Sequence, residues 1–439
     1  MQVINVHYEG QQVGAVSLDT ATGHSSFEYA PSFIQTGIEL SPLHLPLKVG
    51  IFAFPELDPG AFKGLPGILA DALPDDFGNT VLNAWVAREG RSPRDISSLQ
   101  RLQYTGTRGM GALEFHPATR LKSLNASENV AIEALVQIAQ EVLDARKAFE
   151  VQLHADGPAD QQAMRALLSV GTSAGGARPK AVLAFNHDFS EARSGQTEAP
   201  EGFTHYLLKF DGVNEHQSNQ ETFGDPRGFG AMEYVYYQMA CACGIDMMPC
   251  QLIQEGHRRH FATQRFDRRH NRKIHVQTLN GMDHASYKQV GRYSYAEIFS
   301  VMRRLGLCAV EAEQLFRRMV FNVVARNHDD HTKNFAFMLE PDTRNWRLAP
   351  AYDIAYSYKP GSPWVNSHAM TINGKRDGFT RADFYAFGSI AHRFKSRSWV
   401  DQVIDETQEV VSHWPTLARQ QEVPASLIAL IEPNLRLSL

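Results

Sequence analysis

The stretch Asn327-His328-Asp329-Asp330-His331-Thr332-Lys333-Asn334-Phe335 decides how the rest of the chain is read. It follows a segment in which Leu315, Phe316, Met319, Val320, Val323 and Val324 recur at helical spacing, so it is a polar loop at the end of a buried helix. Phosphoryl transfer needs a carboxylate to orient the attacking hydroxyl and oxygen ligands for Mg²⁺ between the nucleotide phosphates, and catalytic loops for that chemistry carry them as Asp-x4-Asn. Asp329 and Asn334 have that spacing. A second metal-binding Asp is then required downstream, on a strand–turn facing the same cleft. Tyr352-Asp353-Ile354 supplies it after the strand-like Trp346 to Leu348. The expected roles are Asp329 as catalytic carboxylate, with Asn334 and Asp353 as metal ligands. Asp, Asn and His are also ordinary turn formers, so the loop is weighed with its company.

Upstream, Gly171-Thr172-Ser173-Ala174-Gly175-Gly176-Ala177-Arg178-Pro179-Lys180 leads into the strand-like Ala181 to Phe185. Small residues let backbone N–H groups approach phosphates and form an anion-binding concavity. The loop is not a Walker A sequence, because Ala177 follows Gly176 where Lys and Ser/Thr are needed. Lys209 ends the strand His205 to Phe210, where a kinase keeps the Lys that contacts the α- and β-phosphates, and Glu233 opens the next helix in position to pair with it. Each feature alone has a plain structural reading. Their order (loop, Lys, helical Glu, strand, Asp-x4-Asn, Asp) is much harder to reach by accident.

At 439 residues the chain is long enough for two or three domains. A formal net charge of −5 gives it no overall pull toward nucleic acid or anionic lipid, which argues against an autonomous DNA binder. No apolar run reaches the roughly 20 residues that span a bilayer. The first residues show no basic stretch ahead of an apolar one, so no secretory signal is read there. Sparse cysteines (Cys241, Cys243, Cys250, Cys308) fit a reducing compartment, and the cytoplasm is expected. A zinc cluster of Cys241, Cys243 and Cys250 with His257 or His260 lacks the usual Cys-x-x-Cys spacing.

Residues 1–118 alternate short β-like stretches, among them Val3 to Tyr8 and Val13 to Leu18, with Gly, Pro and Asp turns. A helix is expected over Glu128 to Phe149, with Ser127 as its cap and a boundary at 119–127. Residues 119–267 read as an α/β lobe, with Asn186 to Thr204 as a mobile excursion. From 268 to 439 the helical period dominates. The fold class is therefore α+β: a bilobal, protein-kinase-like body with an added N-terminal β-rich subdomain and an all-helical C-terminal lobe.

These residues resemble the HipA family of bacterial toxin kinases almost end to end. Ala72-Leu-Pro-Asp-Asp-Phe-Gly78 and Thr107-Arg-Gly-Met-Gly111 are similar to its N-terminal module, and Ser173 to Lys180 to its phosphate loop. Asp329 to Phe335 resembles its Asp-x-His-x-Lys-Asn-Phe catalytic loop, Tyr352-Asp353 its metal-binding step, and His368 to Lys375 the segment that follows. The resemblance implies a serine/threonine protein kinase using ATP and Mg²⁺ on a cytosolic protein such as an aminoacyl-tRNA synthetase, with glutamyl-tRNA synthetase the leading example. It implies a HipB-like helix-turn-helix antitoxin as partner, DNA reached only through that antitoxin in operon autorepression, and no membrane. It places nucleotide contacts at Ser173, Ala174, Gly175, Gly176, Ala177, Lys180, Lys209 and Glu233, with Gln264-Arg265-Phe266 as the adenine hinge. His331 is expected to brace the loop or touch the nucleotide. Autophosphorylation maps to Ser173, with Thr172 its neighbour; a dianionic phosphate there would repel the ATP phosphates. Two departures stand out: Asp330 where some members have Gly, and Arg178-Pro179 where their phosphate loop has Gln-Glu.

Two other readings remain. Asp329-Asp330-His331-x-x-Asn334 also resembles the Asp-Arg-His-x-x-Asn loop of phosphoinositide kinases. A non-catalytic corepressor would instead use the basic run Arg258, Arg259, Arg265, Arg268, Arg269, Arg272 and Lys273, with His257, His260, His270 and His275, beside an antitoxin on DNA.

Overall fold

The computed structural model describes residues 2–88, 90–118, 130–147, 178–213, 227–391 and 396–439. Gly171 to Ala177, the 119–127 boundary, the Ser127 cap and both expected ends of its helix lie outside these residues; the helix itself is described as Ile132–Lys147.

The chain opens with β1 (Gln2–Tyr8) and β2 (Gln11–Leu18). Ile4, Val6 and Tyr8 are buried and alternate with more exposed neighbours, which is the period of a half-buried strand. Glu9 and Gly10 both take positive φ, the two-residue turn whose twist suits a hairpin. With β3 (Ser25–Tyr29), β4 (Ile51–Ala53) and β5 (Leu113–His116) they form an antiparallel sheet of order β4-β3-β2-β1-β5.

A second sheet contains β6 (Lys180–Phe185), β7 (Ala192–Ser194), β8 (Thr204–Lys209), β9 (Cys250–Glu255) and β10 (Arg258–Gln264), in the order β7-β6-β8-β10-β9. Every residue of β6 is buried. Ala181, Leu183 and Phe185 share a core with Leu135, Val136 and Ala139 of helix Ile132–Lys147. Helix Phe229–Ala242 packs on the same sheet, so closely that a Cβ on Gly230 would lie 2.1 Å from the Arg259 carbonyl oxygen. The expected excursion at 186–204 is ordered instead. It contains β7, its Gly195 N–H donates to the Val182 carbonyl at 2.9 Å, and Asn271 clasps both backbone groups of Ala199. Polar composition concealed a strand whose burial depends on small residues fitting against β6.

The helical lobe contains Tyr295–Arg304, Ala309–Val324, Arg381–Ala391, Arg397–Ser412, Trp414–Gln420 and Ala425–Ile431. Its first long helix starts on a reciprocal cap between Ser294 and Glu297. The lobe is not helical throughout. After the ribbon β11 (Arg268–Arg269) and β12 (Arg272–Lys273) it carries a three-stranded sheet of β13 (His275–Thr278), β14 (Ala336–Leu339) and β15 (Trp346–Leu348).

The N-terminal module touches both lobes. Phe77, Val81 and Ala84 of helix Asp76–Arg88 join the core under β6, while Ile4, Tyr8 and Phe62 belong to a core continuous with the helical lobe. At the second junction Gly67 approaches Gly281 backbone to backbone: a Cβ there would meet the Gly281 oxygen at 2.2 Å. A side chain of any size would separate the two modules.

Candidate active site

Helix Ala309–Val324 is buried along one face, and its end leads into the loop expected to be catalytic. Arg326 turns with φ +59°, and the Asn327 N–H returns to the Asn322 carbonyl at 2.9 Å. The next two carboxylates part company. Asp329 keeps 48% of its side chain exposed, with the His331 Nε2 at 3.6 Å. Burial of its surroundings, together with Asp353 and Asp330, raises its pKa against the pull of His331 and Arg178. Asp330 is fully buried: its oxygens accept from the Tyr295 hydroxyl at 2.9 Å, His368 Nδ1 at 2.9 Å and the Ala369 N–H at 2.8 Å. The loop is thus bolted to the segment 368–370, and Asp330 is the bolt.

Asn334 donates its Nδ2–H to the Asp329 carbonyl at 2.7 Å. Asp353 sits in the left-handed region at φ +52°, and Asn327 links it to the loop through the Asp353 carbonyl at 3.5 Å. Lys209, at the end of β8, bonds both Glu233 and Asp353. Arg178 approaches Glu233 at 3.6 Å and stacks over the Phe229 ring. Burial alone would push Asp353 up, but Lys209, Lys180 and Arg178 hold it at about 2. Burial likewise disfavours a charged Lys209, and the two carboxylates reverse that, raising its pKa. A strand, a helix and a distal turn therefore converge on one ammonium group.

A metal is tested by the donors present. The Asn334 amide oxygen makes no bond to protein among the described residues, and Asp353 remains ionised. An all-oxygen pair suits a hard cation held by one or two protein ligands plus phosphate oxygens. It fits Mg²⁺ in that role. Among the described residues no group of three or more His, Cys, Asp or Glu is arranged to hold a metal by itself, the set Cys241, Cys243, Cys250, His257 and His260 included.

The cleft beside Lys209 is a cavity of about 120 Å³ with Leu207, Phe261, Thr263, Phe266, Tyr352 and Ile354 among its lining residues. In the hinge run, the Gln264 and Arg265 N–H groups already donate to Pro249 and His205 carbonyls, at 2.9 Å each. The Arg265 guanidinium is locked onto Asp267 at 2.7 and 2.8 Å. The expected hinge contacts run through backbone groups, and the Gln264 and Arg265 N–H groups of that run are already committed within the protein. Lys180 also differs from expectation: its ammonium lies 3.3 Å from Asp75 of the N-terminal module, both side chains 2% exposed or less. Lys180 and Lys209 are register partners on β6 and β8, so Asp75 offsets the second of two adjacent cations.

The N-terminal module, from which no chemistry was read, walls the cleft with Asp71, Leu73, Asp75, Met110 and Gly111. Burial pushes Asp71 up to about 6 despite Lys333 and its bonds from Thr278. Asp267 receives the Gly111 N–H at 2.8 Å, and Arg268 reaches the Gly109 and Gly111 carbonyls. The quoted motifs Leu73-Pro74-Asp75 and Gly109-Met110-Gly111 were the available signal, but only a tertiary contact gives them a role.

The basic run is largely neutralised within the molecule. Arg258 pairs with Glu255, Arg259 with Glu422, Arg265 and Arg268 with Asp267, Arg269 with Glu340, Arg272 with Asp342 and Glu9, and Lys273 with Glu114. Cations so compensated have little charge left for a DNA backbone.

Comparison with known proteins agrees with this layout. The HipA N-terminal domain profile matches residues 4–116 and the HipA-like C-terminal domain profile residues 172–414. The chain belongs to the HipA family. It is 26% identical over 192 residues to "Putative kinase Y4mE" and 24% identical over 155 residues to "Putative kinase Y4dM", both of Sinorhizobium fredii (strain NBRC 101917 / NGR234). These alignments cover 40% and 33% of this chain and 44% and 34% of those proteins, less than half of each relative. The HipA chain of a Shewanella oneidensis MR-1 toxin–antitoxin complex with HipB and operator DNA shares the fold, with a TM-score of 0.65 at 17% identity over 98% of this chain and 95% of that one. Among the described residues no helix is long and apolar enough to cross a membrane.

Proposed function

We propose that this chain is an ATP- and Mg²⁺-dependent serine/threonine protein kinase of the HipA toxin type. The observation that carries the reading is the convergence of Lys209, Glu233 and Asp353 beside a loop presenting Asp329 and Asn334. Bound Mg²⁺ would supply charge neutralisation of the nucleotide phosphates, with Asn334 and Asp353 as its protein ligands. Lys209, held by Glu233, presents a permanent cation to phosphate oxygens. Asp329 orients the substrate hydroxyl and accepts its proton; burial raises its pKa, which makes it a stronger base than an ordinary carboxylate. Asn334 fixes the Asp329 backbone, and His331 braces the carboxylate from the side.

The biological setting follows from family membership. The partner is a HipB-like antitoxin, through which the chain reaches operator DNA; the target is a cytosolic protein, with an aminoacyl-tRNA synthetase as first choice. Ser173, with Thr172 beside it, is the self-modification site that switches the enzyme off. The test is a mass-spectrometric phosphosite map after incubation with ATP and Mg²⁺. The expected result is phosphate on Ser173 or Thr172 in wild type and none in Asp329→Asn. Wild type that binds ATP yet carries no phosphate on itself or on any added cytosolic protein overturns the reading.

A further inference from the structure

A second, larger hollow opens at Asp329. It has a volume of about 980 Å³ and lies between the N-terminal module and the helical lobe, with Asp329, His331 and Lys333 at its inner end. Its chemistry contrasts with that of the nucleotide cleft. Lys63, Arg94, Arg101, Lys288 and Lys333 line it, and among the described residues none has a carboxylate within ion-pair distance. Arg101 is held in place by neutral acceptors: Asn79 at 2.8 Å, Asn83 at 3.1 Å and the Pro93 carbonyl at 3.4 Å. Four carboxylates also face the hollow. Asp75 is buried against Lys180 and Asp329 belongs to the reaction, which leaves Asp76 and Asp95 against five cations.

These cations form a track that leads to the reacting group. Lys63 and Lys288 are close enough to oppose each other's charge: burial and then Lys288 lower the Lys63 pKa, and Asp76 and Asp58 only partly counter them. Next to Lys288, the Tyr287 ring lies under the Lys333 ammonium at 4.6 Å and 5.5 Å from the His331 ring. His331 in turn touches Asp329 at 3.6 Å. Like charges gathered in a cleft focus the field outward and raise the local concentration of anions.

We infer that this groove is the docking site for an acidic segment of the protein substrate, whose Asp and Glu side chains meet Lys63, Lys288 and Arg101 while its Ser or Thr hydroxyl reaches Asp329. The inference rests on the kinase reading and adds the substrate's chemical character. It also gives the N-terminal module a role in selection, since Lys63, Arg94 and Arg101 come from the module and Lys288 and Lys333 from the lobe that carries the catalytic loop.

The test uses the full chain, a non-hydrolysable ATP analogue with Mg²⁺, and two dye-labelled peptides with a central Ser, one flanked by Glu and one by Lys. Fluorescence anisotropy is expected to show the Glu peptide binding about ten-fold tighter, a preference that fades as salt rises. Lys63→Glu/Lys288→Glu, changing two exposed side chains, is expected to reverse the ranking with an unchanged melting profile. Equal binding, a Lys-peptide preference, an unchanged ranking in the variant, or an RNA oligonucleotide outcompeting both peptides overturns the proposal. Parallel transfer assays with ATP separate the two ideas. The predicted ranking without phosphate transfer sinks the kinase reading alone, whereas self-phosphorylation without ranking sinks the groove alone.

Discussion

The two faces of the loop from Asp329 to Asn334 differ more than their sequence suggests. Asp329 and Asp330 are adjacent and chemically identical, yet one lines the larger hollow with 48% of its side chain exposed and the other is buried under Tyr295, His368 and Ala369. The first is the proposed catalytic carboxylate. The second fastens the loop to the helical lobe, because a buried carboxylate is tolerable only when its oxygens are satisfied. On the proposed reading, reactivity belongs where hydrogen bonding is incomplete, and rigidity where it is saturated.

The sharpest way to break that comparison is to remove each carboxylate in turn. Asp329→Asn is expected to lower phosphate transfer by about 10³-fold with denaturant stability unchanged. Because its pKa is raised, the acid limb of the wild-type pH–rate profile is expected above the ordinary carboxylate value. Asp330→Ala should do the reverse in kind, costing about 3 kcal/mol in urea unfolding by stranding buried donors, with activity falling only through loss of folded protein and loop order.

Asp75 extends the comparison to another module. Like Asp330 it is buried and saturated, receiving the Gly78 N–H at 2.6 Å and lying beside Lys180. Asp75→Asn should cost about 3 kcal/mol and weaken ATP binding, measured by titration calorimetry. An unchanged ATP affinity would leave the module merely attached to the cleft. The smallest expected effect concerns Asp353. Its pKa falls from 3.8 unfolded to about 2 folded, so the stability it contributes is present above pH 4 and lost as pH falls through 2. That amounts to about 2 kcal/mol for a side chain 25% exposed, and Lys209→Met should flatten this part of the acid-unfolding curve.

What the sequence disclosed was the part written in local spacing. Asp329, Asn334 and Asp353, together with Lys209 and Glu233, are brought into one neighbourhood, and the strands and helices bearing them were visible from period and turn residues. What it withheld depends on contacts between distant positions. Nothing local in Leu73-Pro74-Asp75 announces a partner in Lys180, nor does an Arg-rich ribbon announce that Asp267, Glu340 and Glu114 will neutralise it. Asp330 was noticed as a departure from some relatives, and only its burial against His368 explains it. The 186–204 segment is polar in composition yet ordered, because Asn271 and β6 hold it from outside that stretch.

The most direct test of the central claim follows labelled γ-phosphate from ATP into protein, with and without Mg²⁺, in wild type beside Lys209→Met. Mg²⁺-dependent label in wild type and none in a folded Lys209→Met is the predicted result. Equal labelling of the two, or no label in wild type at saturating ATP with a cytosolic extract present, would contradict the claim that this cleft transfers phosphate.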